Sequence, residues 1–270
     1  MIRICLITIH KGLKEQLLKT VNSVFKYLDY EIFVGYIIYE SGNVSLDFDE
    51  IKNKKCIYYS GQDSKGITNA LNTSQKLAKR NFCNATHYAY IHSGDVFCPD
   101  KNALKKLTYL SGLNYSYDII TWSYIFNSKN ERSIFLPNFN SINKGMTIPH
   151  IGTFISNDLH ERLNGYRDEF KFAMDYDFFL RAHQICSYIE FRDVLVEIDG
   201  EGLSSINPYK TFREVLKIKL KIKDLTIRNL ILSIYVFLMN TIKRVIYDLL
   251  SKNPQFRKKL RLLVNSRIKG

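Results

Sequence analysis

The chain has 270 residues, 46% hydrophobic and 24% charged, which is ordinary for a folded globular protein and long enough for one large domain with an appendage. Its five cysteines (Cys5, Cys56, Cys83, Cys98, Cys186) are scattered with no CxxC pair, which argues against a disulfide framework or a zinc site and for a reduced, cytosolic compartment. The net charge of +13 resides in the last 61 residues: residues 1–209 hold 23 Lys+Arg and 23 Asp+Glu, whereas residues 210–270 hold 16 and 3.

The apolar run from Ile4 to Ile9 ends at His10-Lys11, too short for a signal peptide, and Ile2–Ile9 reads as a strand buried on both faces. Gly12 opens a helix in which Leu13, Leu17, Val21, Val24, Phe25 and Leu28 recur at helical spacing. Glu31–Tyr39 is a second buried strand, closed by the turn Glu40-Ser41-Gly42-Asn43, and Cys56–Tyr59 a short third. After the loop Gly61–Gly66 comes a helix with Ile67, Ala70, Leu71, Ser74, Leu77 and Ala78 on one face. Thr86–Ile91 is the next strand. It breaks at Ser93-Gly94 and presents Asp95 just past its end, where ligands bind in open α/β sheets. This order predicts an α/β sheet with right-handed crossovers.

The second half is more mixed. Asp118–Phe126 and Ile151–Ile155 read as strands, Leu159–Leu163 as a helical turn, and Asp175–Gln184 as a helix with Asp175 at its start. Tyr188–Phe191 and Val194–Ile198 are two further strands, and the segment from Trp122 to Thr147 carries no readable pattern. From Thr211 the pattern is helical and basic. Leu216–Lys223 alternates like a strand, but no turn residues follow it until Asn253-Pro254, which favours helix. The expected domains are a neutral catalytic body over 1–209 and a basic helical tail over 210–270.

Three ordered segments carry chemistry. The first is Ser64-Lys65-Gly66-Ile67-Thr68-Asn69-Ala70-Leu71-Asn72 and the second His92-Ser93-Gly94-Asp95. The third runs from His150-Ile151-Gly152-Thr153-Phe154 through Asn164-Gly165-Tyr166-Arg167-Asp168-Glu169-Phe170 to Asp175-Tyr176-Asp177-Phe178-Phe179-Leu180-Arg181. Together they resemble the family 2 glycosyltransferases of the bacterial polysaccharide- and lipooligosaccharide-assembly branch, and the resemblance covers roughly residues 1–220. It implies a GT-A fold: a Rossmann-like mixed α/β sheet flanked by helices, here followed by C-terminal amphipathic helices. It also implies inverting transfer of a hexose from a nucleotide-diphosphate sugar, with a uridine donor expected.

By that resemblance Asp95 is the last acid of a metal motif, holding Mn²⁺ or Mg²⁺ against the donor diphosphate. Ser93 and Gly94 stand where the usual Asp-x-Asp has its other residues, so metal binding without donor should be weak. Taken alone, the segment is also a plain Gly-Asp turn. Asp175 resembles the catalytic base that takes the acceptor hydroxyl's proton. Asp175 and Asp177 are two apart and point to different sides of a helix, so one alone faces the sugar, and the resemblance selects Asp175; the lesser alternative is that both are first-turn acids. Arg181 pairs with Asp177 at i+4. Glu40 is placed to read ribose or base, and Tyr39 beside it to stack on the base. Thr8 and His10 line the same crevice by topology. Asp63 lies one position off a donor-contacting acid, and Lys65 either meets phosphate or is a solvated loop lysine. Ser204, in Gly202-Leu203-Ser204-Ser205, resembles a segment that closes over the donor phosphates. His150 is a metal ligand, an acceptor or phosphate contact, or a satisfied core histidine.

In the tail, Ile227, Leu230, Ile231, Ile234, Leu238, Ile242, Val245, Ile246 and Leu249 form an apolar face flanked by Arg228, Lys243 and Arg244. Its least polar window, Leu230–Met239, is too short to cross a bilayer, so a helix lying on an anionic membrane surface fits better. Packing on the body or a homo-oligomer contact is the other reading. The aromatics are not interleaved with the charges, which argues against nucleic acid. The expected partners are a nucleotide-sugar and a glycan or lipid-linked acceptor, at the cytoplasmic face of the cell membrane. A degenerate, non-catalytic nucleotide-binding or scaffold domain is the alternative.

Overall fold

The computed structural model describes residues 1–42, 53–60, 66–112, 117–128, 131–199 and 207–221, with five positions between 231 and 239. It forms two compact units, Met1–Val215 and Leu216–Gly270.

In the first unit, β1 (Ile4–His10), β2 (Phe33–Glu40), β3 (Cys56–Ser60) and β4 (His87–Tyr90) are parallel neighbours in the order β3-β2-β1-β4. The sheet continues through β8 (Phe154–Ser156), β6 (Ile119–Ser128), β9 (Tyr188–Asp199) and β5 (Val96–Phe97), and β7 (Glu131–Phe135) pairs with β6. Here the pairing is mixed: β4–β8, β8–β6, β9–β5 and β6–β7 are antiparallel, while β6–β9 is parallel. The strand order reverses at β1, whose neighbours β2 and β4 leave it on opposite sides, so a crevice opens beyond its carboxyl end.

The continuous apolar run of β1 has a direct cause. Ile4, Cys5, Leu6 and Ile7 are fully buried, as a strand covered on both faces requires. Helix α1 (Lys14–Phe25) contributes Leu17, Val21 and Val24 to the core with Leu6, Tyr36 and Ile38, and Leu28 follows just beyond the helix. Leu13, read as part of that stripe, precedes the helix and is exposed. Helix α2 (Ile67–Asn81) packs against β1 and β2.

Four elements lie outside the sequence reading: β5, β7, helix α3 (Lys101–Ser111) and a 3₁₀ helix at Phe139–Lys144. Asp100 caps α3, its Oδ1 accepting the amides of Asn102 (2.9 Å) and Ala103 (2.8 Å). The two strands expected at Tyr188–Phe191 and Val194–Ile198 are one, β9. The register passes from Trp122↔Phe191 to Ser123↔Val194, so Arg192 and Asp193 form a bulge rather than a break. Helices α4 (Asn157–Arg162) and α5 (Met174–Ala182) stand where helical patterns were read, and helix α6 is Pro208–Lys221, so the alternation beyond Leu216 is helical as far as Lys221.

Of the second unit, Ile231, Ile234 and Leu238 are helical and exposed. No helix among the described residues is long and apolar enough to cross a membrane. The other tail positions read from the sequence, from Ile227 to Leu249, lie outside the described residues.

Candidate active site

The site grows from the carboxyl ends of the parallel strands. β1 ends at His10 in register with Glu40, the last residue of β2. Beyond β4 the chain turns through Ser93 and Gly94 to Asp95, whose amide bonds the His92 carbonyl at 3.0 Å. Gly94 holds φ at +101°, a left-handed backbone that glycine adopts without steric cost.

Two side chains lock that turn. His10 Nδ1 and Ser93 Oγ lie 2.8 Å apart, joining the ends of β1 and β4. Thr20 of α1, fully buried, accepts the Gly94 amide (2.9 Å) and donates to the Asp95 carbonyl (2.7 Å). Thr20→Val keeps the shape and removes the hydroxyl from the Asp95 carbonyl, while the Gly94 amide keeps only its 3.1 Å bond to the Gln16 carbonyl. We expect it to lower unfolding stability by about 1–3 kcal/mol, measured as a reduced midpoint in urea at unchanged slope.

Asp95 is 5% exposed. Its Oδ1 accepts the Asp199 amide at the end of β9 (3.2 Å), and Asp199 in turn pairs with Lys19 (2.7 Å). Burial pushes the Asp95 carboxyl up to about 7, with the Asp199 amide and the Lys19 charge only partly offsetting it. A carboxylate so poorly compensated fits a cation that keeps waters and takes further oxygens from a bound diphosphate. No group of three or more His, Cys, Asp or Glu suited to a metal occurs among the described residues.

Glu40 is buried and accepts a hydrogen bond from the Tyr58 hydroxyl. His10 is 2% exposed, and burial lowers its pKa, opposed by the Glu40 charge and a backbone hydrogen bond at Gly12. Thr8 is a correction to the sequence reading. It is fully buried and accepts the Tyr36 hydroxyl (2.8 Å), so it braces β1 against β2 and does not line the crevice. Tyr39 is likewise buried. Asp63, Lys65 and Ser204 lie outside the described residues.

The three sequence segments meet physically. Asn72 of the first bonds Tyr166 of the third twice, donating to its carbonyl (2.8 Å) and accepting its amide (3.0 Å). Thr68 donates to the Phe170 carbonyl (2.8 Å), and the Tyr90 hydroxyl, just before the second segment, donates to the Leu71 carbonyl (3.0 Å). Gly165 permits the closest approach: its φ is +69°, and a Cβ there would stand 2.7 Å from Asn72 Oδ1. His92 then faces His150 with ring centres 5.5 Å apart, and His150 Nε2 shares a 2.8 Å hydrogen bond with the Tyr166 hydroxyl. His150 also stacks on Tyr90 at 5.0 Å. Burial, reinforced by His92, holds His150 well below the usual imidazole range, and burial lowers His92 to about 4. Both rings are therefore neutral at pH 7, and His150 Nε2 is engaged by the Tyr166 hydroxyl. His92, which the sequence reading left without a role, is the partly exposed member of this pair.

Burial raises the Tyr166 hydroxyl pKa, and the charges of Tyr90 and Asp175 add to the rise. Asp175 sits in the first turn of α5, and its Oδ1 accepts the Tyr176 amide (2.8 Å). Burial raises its carboxyl to about 6 against that bond, with the Glu214 charge adding to the rise. Asp177 turns the other way, to Arg181 (2.9 Å) and Arg167 (3.3 Å), so α5 separates the two aspartates as its geometry requires.

No family model matches the chain. Over 58 residues, 22% of its length, it is 36% identical to a Mycobacterium tuberculosis protein described as an uncharacterized glycosyltransferase, found in two strains, and that match spans 22% of the relatives' own length. Among solved structures it is similar to a fragment of S. aureus TarS in complex with UDP-GlcNAc, at TM-score 0.61 and 13% identity over 86% of this chain and 69% of that one. It is also similar to a mannosyltransferase from Pyrobaculum calidifontis in complex with GDP-Man and Mn2+, at TM-score 0.52 and 12% identity over 81% of this chain and 63% of that one. At such identities the likeness speaks to architecture, and the architecture is the mixed α/β GT-A-like fold.

Proposed function

We propose that the chain is an inverting glycosyltransferase that moves a sugar from a nucleotide-diphosphate donor, a uridine one, to a saccharide or lipid-linked saccharide acceptor. The observation that carries this reading is the line of contacts from the Ser93–Asp95 turn through His92 and His150 to Tyr166, whose hydroxyl lies within electrostatic reach of Asp175, in a fold shared with proteins solved with UDP-GlcNAc and with GDP-Man. Both the phosphate end and the acceptor end of such a donor then have a carboxylate at hand.

In this mechanism Glu40 and His10 receive the nucleoside at the carboxyl ends of β1 and β2. Asp95 would hold a divalent cation, which when bound neutralises the departing diphosphate. Asp175 takes the proton of the acceptor hydroxyl as its oxygen bonds to the anomeric carbon, and the bond from that carbon to the diphosphate oxygen breaks. Attack from the face opposite the leaving group inverts the anomeric configuration. The basic segment after residue 209, with exposed Ile231, Ile234 and Leu238, would bring the enzyme to anionic lipid bearing the acceptor. The product would enter a cell-surface polysaccharide.

Calorimetric titration with UDP tests the donor half. Binding should require Mn²⁺ or Mg²⁺, and Asp95→Asn should weaken the metal-dependent part about tenfold or more. Metal-independent binding, or none, would favour a non-catalytic nucleotide-binding or scaffold domain. Slow hydrolysis across a panel of nucleotide sugars then identifies the donor.

A further inference from the structure

Helix α5 lacks a capping side chain of its own: Ala173 precedes it and supplies none. The amides just ahead of it are nevertheless satisfied from far along the chain. Glu214 of α6 accepts the Lys171 amide with Oε1 (3.0 Å) and Oε2 (3.1 Å), and its Oε2 also accepts the amides of Phe172 (2.7 Å) and Ala173 (2.9 Å). Three successive amides converging on one carboxylate make a backbone anion nest filled by the protein itself. Asp175 begins two residues later. The titratable groups on packed elements whose charge couples to it are Glu214 of α6 and Tyr166 of the turn after α4, while Asp177 on its own helix is turned to Arg167 and Arg181.

We propose that Glu214 is the positioning residue for Asp175, anchoring the segment that launches α5 and holding a negative charge beside the base. This rests on the reading of Asp175 as the base. Two consequences follow from one carboxylate. Its hydrogen bonds fix where the Asp175 backbone sits relative to the acceptor. Its charge disfavours a second anion nearby, so Asp175 holds a proton more tightly and is the stronger base once ionised. Glu214 belongs by charge count to the basic tail, yet it lies in the first compact unit, which runs to Val215.

The test compares Glu214→Gln and Glu214→Ala in the full chain. Transfer is followed against pH, and the Asp175 carboxyl is titrated by ¹³C NMR, its signal assigned by its loss in Asp175→Asn. Glu214→Ala should lower kcat on the order of 10²-fold through misplacement of the base, with donor KM unchanged. Glu214→Gln keeps an acceptor oxygen without the charge. It should recover most of that rate while moving both the acidic limb and the Asp175 titration to lower pH. An Asp175 titration unmoved in Glu214→Gln would overturn the proposal, as would full kcat in Glu214→Ala. Should Asp175→Asn retain transfer, the base assignment fails by itself. The NMR titration, which needs no activity and no Ala variant, still decides whether Glu214 acts on Asp175.

Discussion

Asp175→Asn is expected to slow sugar transfer about 10²–10⁴-fold while leaving metal-dependent UDP binding at its wild-type affinity, because the change removes a proton acceptor and nothing that touches the nucleotide. The substitution is nearly isosteric, and the amide oxygen still accepts the Tyr176 N–H, so the helix start is preserved. Burial has raised the Asp175 carboxyl to about 6. A base works only when ionised, so wild-type kcat/KM should rise with pH through about 6 and level off above it. The residual rate of the Asn variant should lack that limb. Stability moves the opposite way. A carboxyl whose folded pKa lies above its unfolded value adds stability when protonated, and loses it as pH rises through about 6. At pH 7.5, therefore, the Asn variant should melt at or above the wild-type temperature. An inactive variant that melted far lower would indicate a structural carboxylate in place of a base.

The strands around the crevice were legible because burial on both faces leaves an uninterrupted apolar run, and β1 and β2 are covered on both faces. The elements that escaped each had a physical reason to do so. β5 is two residues long and has no period to detect. β7 exists only as the partner of β6, its ladder running from Glu131 opposite Ser128 to Phe135 opposite Tyr124. Helix α3 did carry a signal, since Asp100 is a capping residue followed by apolar Ala103, Leu107 and Leu110, all buried. That signal lies between two stronger patterns, the β4 strand and the β6 strand. In β9 the polar pair Arg192-Asp193 reads as a break, but Asp193 pairs with Lys106 of α3, so its polarity reports a helix contact and not a turn.

The candidate site was legible to the extent that its chemistry is local. Asp95 at a strand end and Asp175 at a helix start are visible as patterns along the chain. What holds them is not. Thr20 under the Gly94 turn, Asn72 across from Tyr166, and Glu214 at the head of α5 act 74, 94 and 41 residues away from their partners. Nothing in their local sequence distinguishes them from a helix threonine, a helix asparagine and a tail glutamate. Thr8 shows the converse. Topology puts it at the crevice, but a tyrosine one strand away had already taken its hydroxyl.

The largest stability losses should come from the ion cluster behind α5. Asp177 is 1% exposed, and its partner Arg181 is itself mostly buried. The i+4 pairing was readable; the second guanidinium, Arg167, and the two carbonyls that Arg181 also holds, Leu163 (2.7 Å) and Gly165 (2.8 Å), were not. Removing Asp177 leaves Arg181 charged in the interior with carbonyl partners alone, and Asp177→Ala should cost about 3–5 kcal/mol. Arg181→Ala should cost a similar amount, since it leaves the buried carboxylate with the half-exposed Arg167 alone and frees the turn that carries Gly165 and Tyr166. Against a total stability of roughly 5–15 kcal/mol, either change brings the protein near unfolding at 37 °C. The double variant is the sharper measurement. With both charges gone neither is left uncompensated, so its loss should fall short of the sum of the single losses by about 1–3 kcal/mol in urea unfolding. Strict additivity would mean that the two side chains act separately, and that the turn at Gly165 is held by Arg181 without regard to Asp177.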